Sequence, residues 1–167
     1  LFDFLEISKH QKFIPTGKNA LASFLGKYKS LNKVLLVHNT FSTNEDIEGA
    51  KLLNNYWAFC PNANLYIEDK LPNFNLFLNE KCTIGTDSLA SNWGLSILSE
   101  LKTISKHYPN IDLQILIKWA TYNGADFLNF NDLGSFEKGK TPGVNLIQNI
   151  NTDTLSLTAN STVKVLI

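Results

Sequence analysis

Short uninterrupted apolar runs alternate along this chain with stretches in which apolar residues return every three or four positions. Three runs stand out: Val34-Leu35-Leu36-Val37 ending at His38, Tyr56-Trp57-Ala58-Phe59-Cys60 ending at Pro61-Asn62, and Cys82-Thr83-Ile84-Gly85-Thr86 ending at Asp87. A run that is apolar throughout, instead of at every second position, marks a strand covered on both faces. The runs recur at about 22 to 26 residues, which leaves room for one helix between strands. The pattern therefore predicts βα units of a parallel sheet.

The intervening helices are also predicted. Thr43-Asn44-Glu45-Asp46 supplies a cap and an acidic first turn for a helix carrying Ile47, Ala50, Leu52 and Leu53. Leu95, Leu98, Leu101, Ile104 and Ser105 mark a helix after the third strand, and Leu21, Phe24, Leu25 and Tyr28 mark one before the first. Ile111-Asp112 opens a last helix with Leu113, Leu116, Ile117, Ala120 and Asn123 on one face and Gly124 near its end. From Gly134 the texture changes to glycines, Pro142 and short runs at 144–147, 154–157 and 163–167, which read as turns and antiparallel strands. The expected division is an α/β unit over 1–133 and a small β element over 134–167. Three parallel strands with helices fit two architectures: a small open α/β sheet, or the last part of a (β/α)8 barrel, a fold of about 250 residues.

Composition narrows the partners. Lys+Arg 15 balance Asp+Glu 15, so net charge gives no case for nucleic acid or an anionic membrane. With 44% hydrophobic and 18% charged residues the chain is globular in type. No apolar run approaches the ~20 residues that cross a bilayer, and the first residues lack the features of a secretory signal. The two cysteines, Cys60 and Cys82, have no metal-type spacing and read as reduced core thiols, so the expected location is cytoplasmic. The sequence contains no Met, so Leu1 is not a translation start, and the expectation is a portion of a longer polypeptide.

In parallel α/β folds ligands bind beyond the C-terminal ends of the strands. The residues there are His38, Asn62, Asn64 and Asp87. An imidazole and a carboxylate converging at such a mouth suit a divalent metal and the water it activates, because nitrogen and oxygen donors fit zinc or iron. Each has a plainer reading as well: His38 as a structural hydrogen-bonding histidine, Asp87 as a cap for the next helix, Asn62 and Asn64 as turn residues.

Four segments in order favour the first reading. Leu35-Leu36-Val37-His38-Asn39, Cys60-Pro61-Asn62-Ala63-Asn64, Gly85-Thr86-Asp87-Ser88-Leu89-Ala90-Ser91-Asn92, and the tail Asn123-Gly124-Ala125 with Gly134-Ser135-Phe136-Glu137-Lys138-Gly139-Lys140 together resemble the metal-dependent amidohydrolase superfamily. The likeness is to its cytosine deaminase-like and chlorohydrolase-like branch, which includes adenosine-type and aminofutalosine deaminases. In that resemblance the first segment is similar to the sixth barrel strand with its histidine, the second to the seventh-strand CPxSN motif and the third to the eighth-strand GTD motif. It implies the C-terminal part of a TIM (β/α)8 barrel, strands six to eight with their helices, followed by C-terminal strands of a small antiparallel β element.

The resemblance further implies a hydrolase that uses a metal-activated water on a C–N bond of an amino-substituted heterocycle or nucleoside, releasing ammonia. Asp87 would be a metal ligand that takes the proton of the water, and His38 would orient or polarise that water. Asn64, Ser91 and Asn92 would shape the substrate side. Zinc is the implied metal, with iron the alternative. Ala63 departs from the usual serine, and Thr141-Pro142-Gly143 from the usual turn after Gly139-Lys140. The family's HxH pair and its strand-five His and Glu have no counterpart, since His10 and His107 do not sit at strand ends. This chain alone is therefore expected to be metal-free and inactive, with the missing ligands encoded upstream. Three barrel strands also cannot close on themselves, so self-association is expected. The alternative is a non-catalytic α/β binding or interaction domain.

Overall fold

The computed structural model describes residues 17–25 and 33–167. Tyr28, expected on the first helix, and His10 lie outside the described residues. Strands β1 (Val34–Val37), β2 (Asn55–Phe59) and β3 (Cys82–Ile84) form one parallel sheet in that order. Val37 lies opposite Ala58, and Phe59 opposite Ile84. The ladder runs on past the strand ends, with His38 N donating to Ala58 O at 2.9 Å and Gly85 N to Phe59 O at 2.9 Å. These registers bring the C-terminal ends of all three strands to one edge.

Every residue of β2 is buried. Trp57 and Phe59 meet Phe77 edge-on with ring centroids 5.0 and 4.9 Å apart, and Phe59 also meets Phe74 at 5.1 Å. Such edge-to-face pairs add directional stability to area burial. Phe74–Phe77 is a short 3-10 helix. β1 departs from the expectation of coverage on both faces. Leu36 joins the core, but Leu35 and Val37 are 37% and 49% exposed, so one face of this edge strand is open.

Helices α1 (Ala20–Leu25), α2 (Asn44–Ala50) and α4 (Ile97–His107) lie where the pattern predicts them. Asn19 Oδ1 accepts from Ala22 N at 2.7 Å at the start of α1, and Thr43 and Asp46 form a reciprocal capping box on α2. Helix α3 (Pro61–Glu68) follows β2 directly. Pro61 and Asn62 read as a turn in the sequence but form its first turn, where proline loses nothing because its missing N–H has no partner within the helix.

The expected helix from Ile111 is two helices, α5 (Leu113–Ala120) and α6 (Tyr122–Leu128). Thr121 breaks them with φ −132° and ψ −83°, while its Oγ1 donates to Ile117 O at 2.7 Å. The break turns Asn123 inward, where its Nδ2 donates to Cys82 O at 2.7 Å, and it places Gly124 inside α6 instead of at a helix end.

Beyond residue 134, β4 (Asn145–Gln148) and β5 (Thr162–Val165) pair antiparallel. The predicted strand at 154–157 is absent. Asn151 Oδ1 accepts from Asp153 N at 3.0 Å and Thr154 N at 3.1 Å, and Leu155 has φ 46°, so local side-chain turn chemistry overrides the apolar alternation. Only the single bridge Asn151–Ser156 remains there.

Candidate functional site

His38 and Asp87 follow β1 and β3 and have φ values of 68° and 59°; Asn39 next to His38 has φ 56°. Left-handed backbone is disfavoured for residues with a Cβ, and such conformations concentrate where a side chain must be aimed. Asn39 Nδ2 offsets part of the cost by donating to Leu36 O at 2.7 Å. β2 separates the two strands, so their backbones stand roughly 9–10 Å apart. The side chains close that gap, bringing His38 Nε2 to 3.5 Å from Asp87 Oδ2, with both side chains about a third exposed.

Asn64, in the first turns of α3, holds the imidazole from behind. Its Oδ1 lies 2.9 Å from His38 Nδ1, and its Nδ2 donates to Thr40 Oγ1 at 2.6 Å. With the amide so oriented, Nδ1 carries the proton and Nε2 faces Asp87. Asp87 Oδ1 accepts from Ser88 N at 2.8 Å, leaving Oδ2 toward the histidine.

Asn92 is buried and donates from Nδ2 to Thr86 O at 2.6 Å and to Glu100 Oε1 at 2.8 Å, while its Oδ1 accepts from Gly94 N at 3.3 Å. The hydroxyl of half-buried Ser91 contacts Ser88 Oγ at 3.1 Å and Ser88 O at 3.2 Å. The structure thus brings His38, Asp87 and Asn64 together directly. It places Asn92 behind Thr86 and Ser91 beside the loop after Asp87. The amides of Asn64 and Asn92 are spent inside the protein, so these two act on the mouth through His38 and Thr86.

Glu100 escapes the sequence reading. Its side chain is fully buried on α4, and Oε2 accepts from the Asn62 backbone N–H at 2.7 Å. Burial pushes its carboxyl above the usual range, opposed by hydrogen bonds from the Asn62 backbone and the Asn92 and Asn62 side chains. The signal available in sequence was position: Glu100 precedes Ile104 by one turn on the face that also buries Leu101. Cys60 lies under this edge, its thiol pushed up to about 11 by burial and by the charges of Asp87 and Glu100. That thiol is protonated and unsuited to act as a ligand at neutral pH.

The 3.5 Å between His38 Nε2 and Asp87 Oδ2 sets one carboxylate oxygen, a donor for a divalent ion, beside an imidazole nitrogen able to hold a water on that ion. Among the described residues, however, no group of three or more His, Cys, Asp and Glu side chains is placed to hold a metal ion. The pair fits as part of a site. It needs further donors to complete it.

Comparison with known proteins identifies the family. The amidohydrolase family model matches residues 5–166. The aminodeoxyfutalosine deaminase of Nitratiruptor sp. is 30% identical over 133 residues, covering 77% of this chain and 32% of that protein. Among solved structures, an adenosine deaminase from Xanthomonas campestris with bound zinc is 30% identical with TM-score 0.57, over 64% of this chain and 26% of that one. The aminofutalosine deaminase of Helicobacter pylori is 28% identical with TM-score 0.57, over 65% and 29%. The chain thus spans about a third of the length of the curated relative and less of the solved structures. A family match over nearly the whole sequence joins an α/β fold whose strand ends converge on a histidine and an aspartate: the chain belongs to the amidohydrolase family.

Proposed function

We propose that this chain supplies the last three βα units and the C-terminal strands of a hydrolytic deaminase, and that β1, β2 and β3 are barrel strands six, seven and eight. The observation that carries the reading is the approach of His38 Nε2 to Asp87 Oδ2 at 3.5 Å across an intervening strand. The relatives named as aminodeoxyfutalosine, aminofutalosine and adenosine deaminases point to an amino-substituted heterocycle or nucleoside as substrate. Hydrolysis replaces the exocyclic amino group by oxygen and releases ammonia, consuming one water.

Asp87 would be the ligand this chain contributes to a divalent metal, zinc as in the zinc-bound adenosine deaminase or iron as the alternative. When bound, such an ion lowers the pKa of water towards about 7 and so supplies a nucleophile at neutral pH. Asp87 Oδ2 accepts the proton that the water gives up, and its other oxygen stays fixed by Ser88 N–H. His38 orients the water with Nε2, its ring held by Asn64. Asn64, Ser91 and Asn92 shape the substrate side, the two asparagines by fixing His38 and Thr86. The remaining metal ligands and the proton donor for the leaving nitrogen come from residues outside this chain, so the chain alone is inactive. The exposed Leu35 and Val37 on open edge strand β1 would drive it to self-associate when separated.

The test is ammonia release by the whole protein that contains this chain, incubated with aminodeoxyfutalosine, adenosine and related amino heterocycles. One equivalent of ammonia per substrate converted is expected from at least one of them. A metal-loaded protein that releases none from any would favour the alternative of a non-catalytic α/β domain.

A further inference from the structure

One buried group has a role that neither the candidate chemistry nor the core requires. Glu100 is 0% exposed on α4, and among the described residues it makes no ion pair. A carboxylate in such a place is costly unless its oxygens are satisfied, and here both are. One accepts from the backbone N–H of Asn62 at 2.7 Å, the other from Asn92 Nδ2 at 2.8 Å.

Each partner leads to the end of a strand. Asn62 lies in the first turn of α3, where backbone N–H groups have no helical acceptor and where Cys60, as N-cap, supplies no side-chain bond. Glu100 thus caps from another helix the turn that comes after β2. The lock is reinforced by Thr103 Oγ1 donating to Asn62 Oδ1 at 2.5 Å and by Asn62 Nδ2 donating to Ser99 Oγ at 3.2 Å. Two residues further along α3, Asn64 holds the His38 ring at the end of β1. On the other side, Asn92 carries the second oxygen's grip to Thr86 O, one residue before Asp87 at the end of β3.

We propose that Glu100 is a positioning residue whose single carboxylate ties together the C-terminal ends of the three strands and so sets the separation of His38 and Asp87. Its catalytic meaning rests on the deaminase reading above, but the mechanical link does not. The geometry makes the link specific to a group with two accepting oxygens. A carboxamide of the same shape has one, and its NH2 must face either the Asn62 N–H or the Asn92 NH2. Glu100→Gln therefore keeps volume and helix propensity while breaking one of the two ties.

The experiment compares 1H–15N spectra and native-state hydrogen exchange of the whole protein that contains this chain, as wild type and as Glu100→Gln. Exchange at the Asn62 amide should rise about tenfold or more where the new NH2 turns to Asn62, as for loss of a hydrogen bond to a charged group, and where it turns to Asn92 instead the Asn92 side-chain resonances should carry the largest shift. The resonances of Thr86 to Ser88, the Asn92 side chain and the His38 ring should shift, while Trp57 and Ala58 in the middle of β2 should not. Changes confined to α4, or a uniform rise in exchange with Thr86, Asp87 and His38 unmoved, would make Glu100 merely structural and overturn the proposal. Should Glu100→Gln fail to fold, Asn92→Ala, which removes the donor to both Thr86 O and Glu100 Oε1, decides the point at the far end of the link: a shifted Asn62 amide and His38 ring support it, and unchanged ones refute it. Neither readout needs metal or substrate, so failure of the deaminase reading would leave the expected spectra intact.

Discussion

Replacing Asn64 by alanine tests whether the imidazole is held as described. The side chain is 1% exposed and makes two hydrogen bonds, to His38 Nδ1 at 2.9 Å and Thr40 Oγ1 at 2.6 Å. Two neutral hydrogen bonds are worth about 1–3 kcal/mol together. The replacement returns about 0.5 kcal/mol, because alanine is the better helix former and Asn64 lies within α3. Stranded partners modify the sum only slightly. Thr40 can rotate its hydroxyl, and the His38 side chain, 39% exposed, can take up water. The expected net loss is about 0.5–2.5 kcal/mol, read as a lower urea midpoint at unchanged denaturant slope. A second readout separates local from global effects: the His38 ring should lose its fixed orientation, so its imidazole 15N resonances should move towards those of a free mixture of tautomers. A loss below about 0.5 kcal/mol with unmoved ring resonances would refute the hydrogen-bonded arrangement on which the site depends.

Other parts of the structure give three further expected outcomes. Gly134 has φ +85°, and a Cβ there would stand 2.8 Å from Ala125 Cβ and 3.0 Å from Tyr122 Cα, so Gly134→Ala should cost about 2 kcal/mol or more in thermal unfolding; a loss under about 0.5 kcal/mol would show that α6 and the glycine turn are not packed this way. Burial raises the Cys82 thiol well above the ordinary range and pushes Cys60 up to about 11, so an aromatic disulfide reagent at neutral pH should label both only as fast as the protein unfolds, and a rapidly reacting thiol in the native state would contradict their placement. Burial raises the Asp46 carboxyl, but hydrogen bonds from Asn19 and Thr43 outweigh it and hold the group below its ordinary 3.8; its contribution is therefore complete above that value and lost as pH falls through the lower folded value, so Asp46→Asn should flatten the acid limb of urea midpoints measured from about pH 5 downward, and an unchanged limb would contradict the assignment.

The strands and their ends were legible because parallel strands under helices are written as continuous apolar runs, closed here by His38, by Pro61-Asn62 and by Asp87. β1 shows where that signal overreaches. Leu35 and Val37 are as apolar as Leu36, yet their face is open, and a run of apolar letters cannot say whether the covering layer lies in the same stretch of chain. Helix α3 was hidden because proline and asparagine serve both turns and helix starts, and because Tyr66 and Ile67 on it are exposed, which blurs the helical period. His38 and Asp87 could be named from sequence, but their left-handed backbone and mutual approach could not. The supporting residues were harder still. Asn64 and Asn92 look like loop residues until burial is known, and Glu100 looks like solvent-facing charge on an amphipathic helix. Polar residues that work from the inside are identified by their partners, which one sequence does not display.

In the proposed function Asp87 and His38 form one working pair at the mouth of an amidohydrolase barrel. Steady-state ammonia release by the whole protein, compared between wild type, Asp87→Ala and His38→Ala on the same amino-heterocycle substrate, tests it most directly. Loss of a proton-accepting group that also holds the metal should lower turnover by at least the ~10²–10⁴-fold typical of a general base, with a smaller fall for His38→Ala. Metal content should drop in Asp87→Ala and stay nearly unchanged in His38→Ala. Asp87→Ala protein that keeps wild-type turnover would contradict the account.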